Sequence, residues 1–568
     1  MKQISKRYLP LILIEILCLI LLLPGCFQKN RPVDSFYGED IMEMAIPVED
    51  HLEFCGDRLE LTPGVYSIRV QSRLADGETM SVEMKCEDSY YKTLRGNSVT
   101  VFSHNDDLTF SVWVLDKVHS AYVQCQFYNG GPESLVSLEV YRTNKGNRIL
   151  FFLALVFFAA LDVMLEFRRR ILEGLVPKKQ QVVFWVLVAG VLLAYFPYMT
   201  DYMLLGEDTM LHVNRIAGLK EILEHGHAVS MFYGDLFLFF PAVLHFIGFS
   251  LMTSYKLFVL ALLTATAIIA YRAFYKCVKD EYAALFGSMF YLLIPYHIFN
   301  VYSRGAIGEC LAMTFLPVVA CGMYLLYTED VKSTSYKKYK WYLIGGISAV
   351  LQSHLVSTEM TAVFMLVFCM IFWKKTFRRE TFWQLAETAI IVLLVNIWFW
   401  LPLLHMNNAD VYPVRRTVVE TYNTHLQIGV GAFMLLAIYV LWRGQERAQE
   451  ENRICKILAI FSILTIVMSA RYLPWDAMTK ISNICMVLAT LFVALFAAFF
   501  FAEVKKAGGL LLKTALGVAA ALMICAAVYH VNRIAFESEP VFLYESDNMD
   551  KISVGDGKYL SEGSKQWN

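Results

Sequence analysis

Apolar runs bounded by basic clusters recur along the chain at about 8–26, 148–166, 182–200, 255–272, 283–300, 309–327, 341–353, 356–373, 384–403, 428–442, 455–470, 480–502 and 511–529. Several approach the roughly 20 residues that carry a helix across a 30 Å hydrocarbon layer, so the pattern predicts thirteen spanning helices. The pair at 341–373 is short and must dip, tilt or kink. A further apolar stretch, 236–250, sits between predicted spans. Counting it as a span would invert every later loop, so it reads as an interfacial or re-entrant helix.

Between the first two runs the period changes. Residues 64–70, 98–102, 108–114 and 135–140 alternate apolar and polar positions, with Pro63-Gly64, Asp76-Gly77, Asn105-Asp106 and Gly130-Gly131 as turn signals. Period-two runs at this spacing predict an antiparallel β-sandwich. Such a module suits sugar binding, a structural lid or partner docking equally. Cys55, Cys86 and Cys125 fall in it, and two of them are candidates for a disulfide that leaves the third free.

Basic residues orient the array. With the N-terminus inside, 26 Lys and Arg fall in cytoplasmic segments and about eight in the facing short loops. The expected organisation is therefore a membrane anchor or signal segment at 1–26, an extracytoplasmic β-domain at 27–147, a multi-span core at 148–529 and an extracytoplasmic tail at 530–568. A retained anchor is the preferred reading of the first segment, although Leu23-Pro24-Gly25-Cys26 resembles a lipoprotein cleavage box.

Composition sharpens the class. Hydrophobic residues make up 57% of the 568 and charged ones 18%, below the quarter typical of soluble domains. A net charge of −1 leaves no basic excess for nucleic acid. The twelve Cys include no C-x-x-C pair, which argues against structural zinc.

The candidate chemistry lies just after the span at 182–200, in Gly206-Glu207-Asp208-Thr209-Met210-Leu211-His212-Val213-Asn214-Arg215. Apolar positions at 211, 216, 219 and 222 fit a helix, with Asp208 or Thr209 near its start. Asp208, His212 and Arg215 then share one face at i, i+4 and i+7. A carboxylate, an imidazole and a guanidinium so placed suit a base, a proton relay and a phosphate clamp. The same spacing also suits a helix cap with an ordinary solvated face. Other ionisable residues gather in the same outer loops: Arg304 and Glu309, His354 with Ser353 and Glu359, and Arg415 with Arg416. Ionisable groups at membrane depth cost about 2.5–3.5 kcal/mol each and point to function by default.

Gly206-x-Asp208-x-x-x-His212-x-x-Arg215-Ile216-x-Gly218-Leu219, Tyr233-Gly234, Phe239-Phe240-Pro241 and Arg304-Gly305-Ala306-x-Gly308-Glu309 together resemble a bacterial group of polytopic membrane proteins. That group is catalogued as 6-pyruvoyl-tetrahydropterin-synthase-related or YfhO-like. Its layout is similar to that of the C-type (GT-C) membrane glycosyltransferases, and the resemblance covers roughly 182–410. It implies an all-α GT-C-like bundle with an inserted β-sandwich, a polyprenyl-phosphate-linked sugar donor and an envelope glycan or lipid acceptor. It also implies a catalytic acid at Asp208, with Glu207 and His212 beside it. Arg215, Arg304, Glu309, His354, Arg415 and Arg416 would then line the substrate and its phosphate. A divalent cation between Asp208 and the phosphate fits that chemistry, but no ligand set demands one. The group's late aromatic-Pro-Trp-Arg stretch is replaced here by Ile481-Ser482-Asn483-Ile484-Cys485-Met486, without Arg. A non-catalytic scaffold or lipid-carrier-binding protein is the alternative; a transporter fits less well, because the ionisable residues gather at the outer surface rather than mid-span.

Overall fold

The computed structural model describes residues 4–48, 51–86, 94–103, 107–172, 174, 176–200, 202–204, 206–225, 234–401, 428–444, 453–469, 482–507, 509–537 and 540–541. Helix α1 (Ile4–Cys26) leads into the β-domain, which among the described residues holds eleven strands, one short α-helix and a 3-10 turn at Pro132–Ser134. These are β1 (Arg31–Tyr37), α2 (Gly38–Met44), β2 (Ala45–Val48), β3 (His51–Cys55), β4 (Leu59–Leu61), β5 (Gly64–Ser72), β6 (Thr79–Cys86), β7 (Leu94–Arg95), β8 (Ser98–Phe102), β9 (Asp107–Val114), β10 (Val118–Tyr128) and β11 (Leu135–Thr143). They form two antiparallel sheets, ordered β1-β11-β5-β9-β7 and β2-β3-β10-β6-β8, with β4 also on β10. Alternate residues such as Ile68, Val70, Phe110, Val112, Met80, Val82 and Val123 are buried between the sheets in one core. That is the sandwich expected of period-two patterning.

The cysteines are unbridged. Cys125 pairs across with Phe54 and is buried, whereas Cys55 opposes Gln124 and so points from the other face of the sheet. Cys86 opposes Ala121, two inward positions along β10 from Cys125. No pair has its Cβ atoms directed at each other, which a disulfide requires.

The bundle follows: α3 (Lys145–Leu172), α4 (Lys178–Tyr195), β12 (Met203–Leu204), α5 (Thr209–His225), α6 (Phe239–Ile247), α7 (Leu251–Val278), α8 (Glu281–Leu293), α9 (Pro295–Tyr302), α10 (Ile307–Thr328), α11 (Lys340–Leu351), α12 (Leu355–Ile371), α13 (Trp373–Thr376), α14 (Arg379–Val395), α15 (Val430–Gly444), α16 (Arg453–Met468), α17 (Ser482–Ala507), α18 (Leu510–Glu537) and β13 (Pro540–Val541). Among the described residues, each of the thirteen apolar runs contains helix. Among the described residues, six helices are long and apolar enough to cross a membrane, or seven if α8 and α9 form one bent span. They bend by 42° where Pro295 cannot donate a backbone hydrogen bond. These six or seven candidate spans leave the expected count of thirteen unconfirmed. Helix α11, with 12 residues, rises only about 18 Å. The chain is a multi-pass membrane protein, mostly helical, with a sheet domain.

Two sets of contacts fix which ends lie together. Gln180 at the start of α4 donates to Glu281 of α8 (3.4 Å), Lys279 after α7 pairs with Glu329 after α10 (3.1 Å), and Lys505 of α17 pairs with Asp280. The basic clusters therefore collect at one end. At the other, Lys256 near the start of α7 donates to the Thr200 carbonyl just past α4 (2.8 Å). The chain thus leaves and re-enters the bundle at the same end, and α5 and α6 both stay there. Helix α6 has nine residues, too short to span, as expected of 236–250. Its Leu244 packs with Ile149 of α3 and with Phe249. The sandwich joins α3 at this same end, where Lys145 follows β11.

Candidate functional site

Four turns converge at the sandwich end of the bundle. Leading into α5, the Glu207 and Asp208 amides donate to the Ser303 and Arg304 carbonyls at 3.2 and 2.7 Å. The Asp208 carbonyl accepts from the His212 amide (3.3 Å), which makes Asp208 the N-cap residue of α5. The Thr209 hydroxyl accepts from the Gly206 amide (2.8 Å) and is fully buried. This crossing leaves no space for side chains. A Cβ on Gly206 would sit 2.5 Å from both the Gly305 nitrogen and the Tyr302 carbonyl oxygen. Gly305, at φ +63°, would bring a Cβ to 2.1 Å from the Thr209 hydroxyl. A second crossing brings residue 234 against the α11–α12 turn, where a Cβ on Gly234 would meet the Gln352 carbonyl oxygen at 2.2 Å.

Two buried ion pairs sit inside these crossings. Arg304 donates from Nη1 to Glu309 (2.9 Å) and to the Asn300 side-chain oxygen (2.7 Å). Glu309 is 3% exposed and also accepts from Tyr296 and from the Asn300 amide. All four groups come from α8–α10, the bent helix and the one that follows it. Burial works against the Arg304 charge, but the Glu309 carboxylate outweighs it and holds the guanidinium above its ordinary value, with a smaller contribution from Asp208.

The second pair spans a longer loop. Arg215 donates from Nη2 to Asp235 (2.5 Å) and to the Gly234 carbonyl (3.2 Å), and from Nη1 to His212 Nδ1 (3.2 Å). Burial holds the Asp235 carboxyl above its usual range even beside Arg215. Because a guanidinium only donates, His212 Nδ1 is the unprotonated nitrogen and Nε2 carries the hydrogen. Burial, then Arg215 and His354, push the His212 pKa well below its ordinary value. His354 caps α12, accepting at Nδ1 from the Ser357 amide (3.3 Å), so its Nε2 also carries the hydrogen. Burial lowers its pKa as well, with Glu309 opposing and Arg304 reinforcing. The site thus holds two neutral imidazoles between two ion pairs.

The structure brings Asp208, His212, Arg215, Arg304, Glu309 and His354 into one cluster. Within it, His212 and Arg215 turn inward, Asp208 is partly exposed at the helix start, and Glu207 is exposed. Glu359 lies exposed on α12, away from the turn that holds His354. Arg415 and Arg416 lie outside the described residues. Sequence reasoning did not single out Asp235, Tyr296 or Asn300. The partners of Arg215 and Arg304 could have been sought among polar residues in otherwise apolar stretches, since a buried arginine requires a carboxylate. Among the described residues, no group of three or more His, Cys, Asp and Glu side chains could hold a metal ion.

No family model matches the chain, and no curated protein does. Among solved structures it is similar to the archaeal oligosaccharyltransferase AglB from Archaeoglobus fulgidus, in complex with an inhibitory peptide and a dolichol-phosphate. The TM-score is 0.41 at 13% identity, over 67% of this chain and 59% of that one. It is also similar to ArnT from Cupriavidus metallidurans bound to undecaprenyl phosphate, with a TM-score of 0.39 at 12% identity, over 63% of this chain and 78% of that one. The chain therefore spans about three fifths of the archaeal enzyme's length.

Proposed function

We propose that this is a glycosyltransferase-like membrane protein that moves a sugar from a polyprenyl-phosphate carrier to an envelope acceptor at the sandwich end of the bundle, on the extracytoplasmic side. The observation that carries the proposal is Asp208. It is a partly exposed carboxylate at the N-terminus of α5, fixed by its own amide to the Arg304 carbonyl beside a buried polar cluster. Lys/Arg bias supports a cytoplasmic location for the opposite end of the bundle.

In this reading Asp208 takes the proton from an acceptor hydroxyl as its oxygen attacks the anomeric carbon. The bond to the carrier phosphate breaks, the phosphate leaves with the electron pair, and the anomeric centre inverts. The α5 N-terminus favours negative charge at this point. Neutral His212 and His354 supply N–H donors without adding charge. Charge bookkeeping limits the arginines: Arg215 is matched by Asp235 and Arg304 by Glu309, so the cluster has no cationic surplus. Arg215 and Arg304 then act as positioning residues, and Arg415 and Arg416 are the candidates for holding the phosphate.

The same matching favours a second reading, a lipid-carrier-binding or scaffold protein without transfer activity. Comparative envelope glycan analysis separates the two. A deletion strain complemented with Asp208→Asn should show the deletion's glycan profile, with transfer down by about 10²–10⁴-fold and the protein still present in membranes. Restoration of the wild-type profile by that variant would sink the catalytic role.

A further inference from the structure

A cavity lies away from Asp208, toward the basic end. It has a volume of about 650 Å³ and opens between α10, α12, α16 and α17. Its lining runs along α10 from Leu316 to Thr328 and along α12 from Thr361 to Ile371. At 1.5 Å per residue, those stretches rise about 18 and 15 Å. The groove therefore has the depth of one leaflet of a bilayer whose hydrocarbon core is about 30 Å thick.

Its two ends differ in chemistry. The deep end, in the middle of the bundle, is closed by phenyl rings in series: Phe364 lies 5.8 Å from Phe492, which stacks 5.2 Å from Phe461. The outer end carries Lys374, Lys375 and Arg453, with Trp373 beside them. Lys374 lies 6.0 Å from the Trp373 ring, and Lys375 donates to the Tyr327 carbonyl (2.9 Å), which turns its ammonium toward the mouth of the groove. Arg453 starts α16 and reaches the same rim from the facing side. Among the described residues, no acidic side chain lines the groove. An apolar slot one leaflet deep, with cations and an indole at headgroup level, has the profile of an amphiphile with an anionic head.

We infer that this groove binds an anionic phospholipid from the leaflet at the basic end, with an acyl chain along α10 and α12 and its phosphate at Lys374, Lys375 and Arg453. The site is separate from the Asp208 cluster and does not depend on the function assigned to it. Bound lipid would tie α12 to the packed pair α16 and α17, because the chain would fill the gap between them.

The test uses the full-length protein in nanodiscs of phosphatidylcholine, titrated with phosphatidylglycerol and read by native mass spectrometry. Phosphatidylglycerol should be retained at least fivefold more strongly than added phosphatidylethanolamine. That preference should disappear in Lys374→Glu/Arg453→Glu and persist in Asp208→Asn. A groove-filling variant, Ala320→Phe, should lose retention while leaving the rim charges in place. Equal retention of the two lipids would overturn the assignment, as would an unchanged preference in the charge variant that still inserts and runs as a monodisperse species. Displacement of phosphatidylglycerol by equimolar undecaprenyl phosphate would overturn the phospholipid assignment in favour of a carrier-lipid site.

Discussion

The two ends of the bundle solve the problem of charge differently. At the basic end Lys279–Glu329 and Lys505–Asp280 lie partly exposed, and each holds together elements that touch nearby anyway. At the sandwich end Arg304–Glu309 and Arg215–Asp235 are buried, and the backbones around them cross so closely that glycine is required. Exposed pairs are worth little because water screens them. Buried pairs add little net stability either, but losing one partner strands a charge, so they make the arrangement intolerant of change. One end is held loosely by many weak contacts; the other is specified by a few that cannot be removed singly.

That contrast can be attacked from its strongest point downward. Gly305→Val should cost about 4 kcal/mol or more, because it combines a left-handed backbone with a direct clash on Thr209. Membrane accumulation and protease resistance would report it, and normal levels of the variant would mean that the crossing is soft. Glu309→Ala should cost about 3–5 kcal/mol by stranding Arg304, whereas the paired change Arg304→Met/Glu309→Leu should recover most of that loss in thermal stability. Equal loss in the single and double variants would show that Asn300 and Tyr296, not the charge, carry the contact.

Acidification probes the same end more gently. His212 and His354 have folded-state pKa values below the unfolded value of about 6.5, so the unfolded chain takes up protons first as pH falls. Stability is then unaffected by these groups above about pH 7 and declines below about 6.5, by up to about 1.4 kcal/mol per pH unit for each. Thermal unfolding in detergent between pH 7.5 and 5.5 should show the decline, and His212→Gln/His354→Gln should flatten it. At the other end Lys505→Ala should change stability by less than about 1 kcal/mol, and a larger change would erase the distinction between the ends.

Much of the bundle was legible because apolar length and basic flanks are local signals, and the sandwich because alternation is. The 236–250 segment, kept out of the span count by charge alternation, holds a nine-residue helix too short to span. Strands β1–β4, β6, β7 and β10 escaped, since their runs are short or interrupted by Pro32, Pro47 and charged or polar residues. In the site, the shared face of His212 and Arg215 followed from helical spacing. Their surroundings did not: Asp235 lies 20 residues beyond Arg215 with no period linking them, and the tight crossings of Gly206 with Gly305 and of Gly234 with Gln352 depend on how separate helices end. Span number is the least legible feature, because hydropathy registers an apolar helix but not whether its ends reach both surfaces.

The small ladder in which Met203 and Leu204 pair with Val541 and Pro540 has a consequence for biogenesis. The Tyr202 hydroxyl adds a contact to the Ala535 carbonyl (3.4 Å), so the segment leading to Asp208 is stitched to the far end of α18. A ribosome inserting this chain vectorially releases residues 202–209 more than three hundred residues before their strand partner. The reactive-looking end must therefore wait, incompletely closed, until the last described helix has entered the membrane. A partly synthesised chain would accordingly lack a finished site, however many of its helices were already in place.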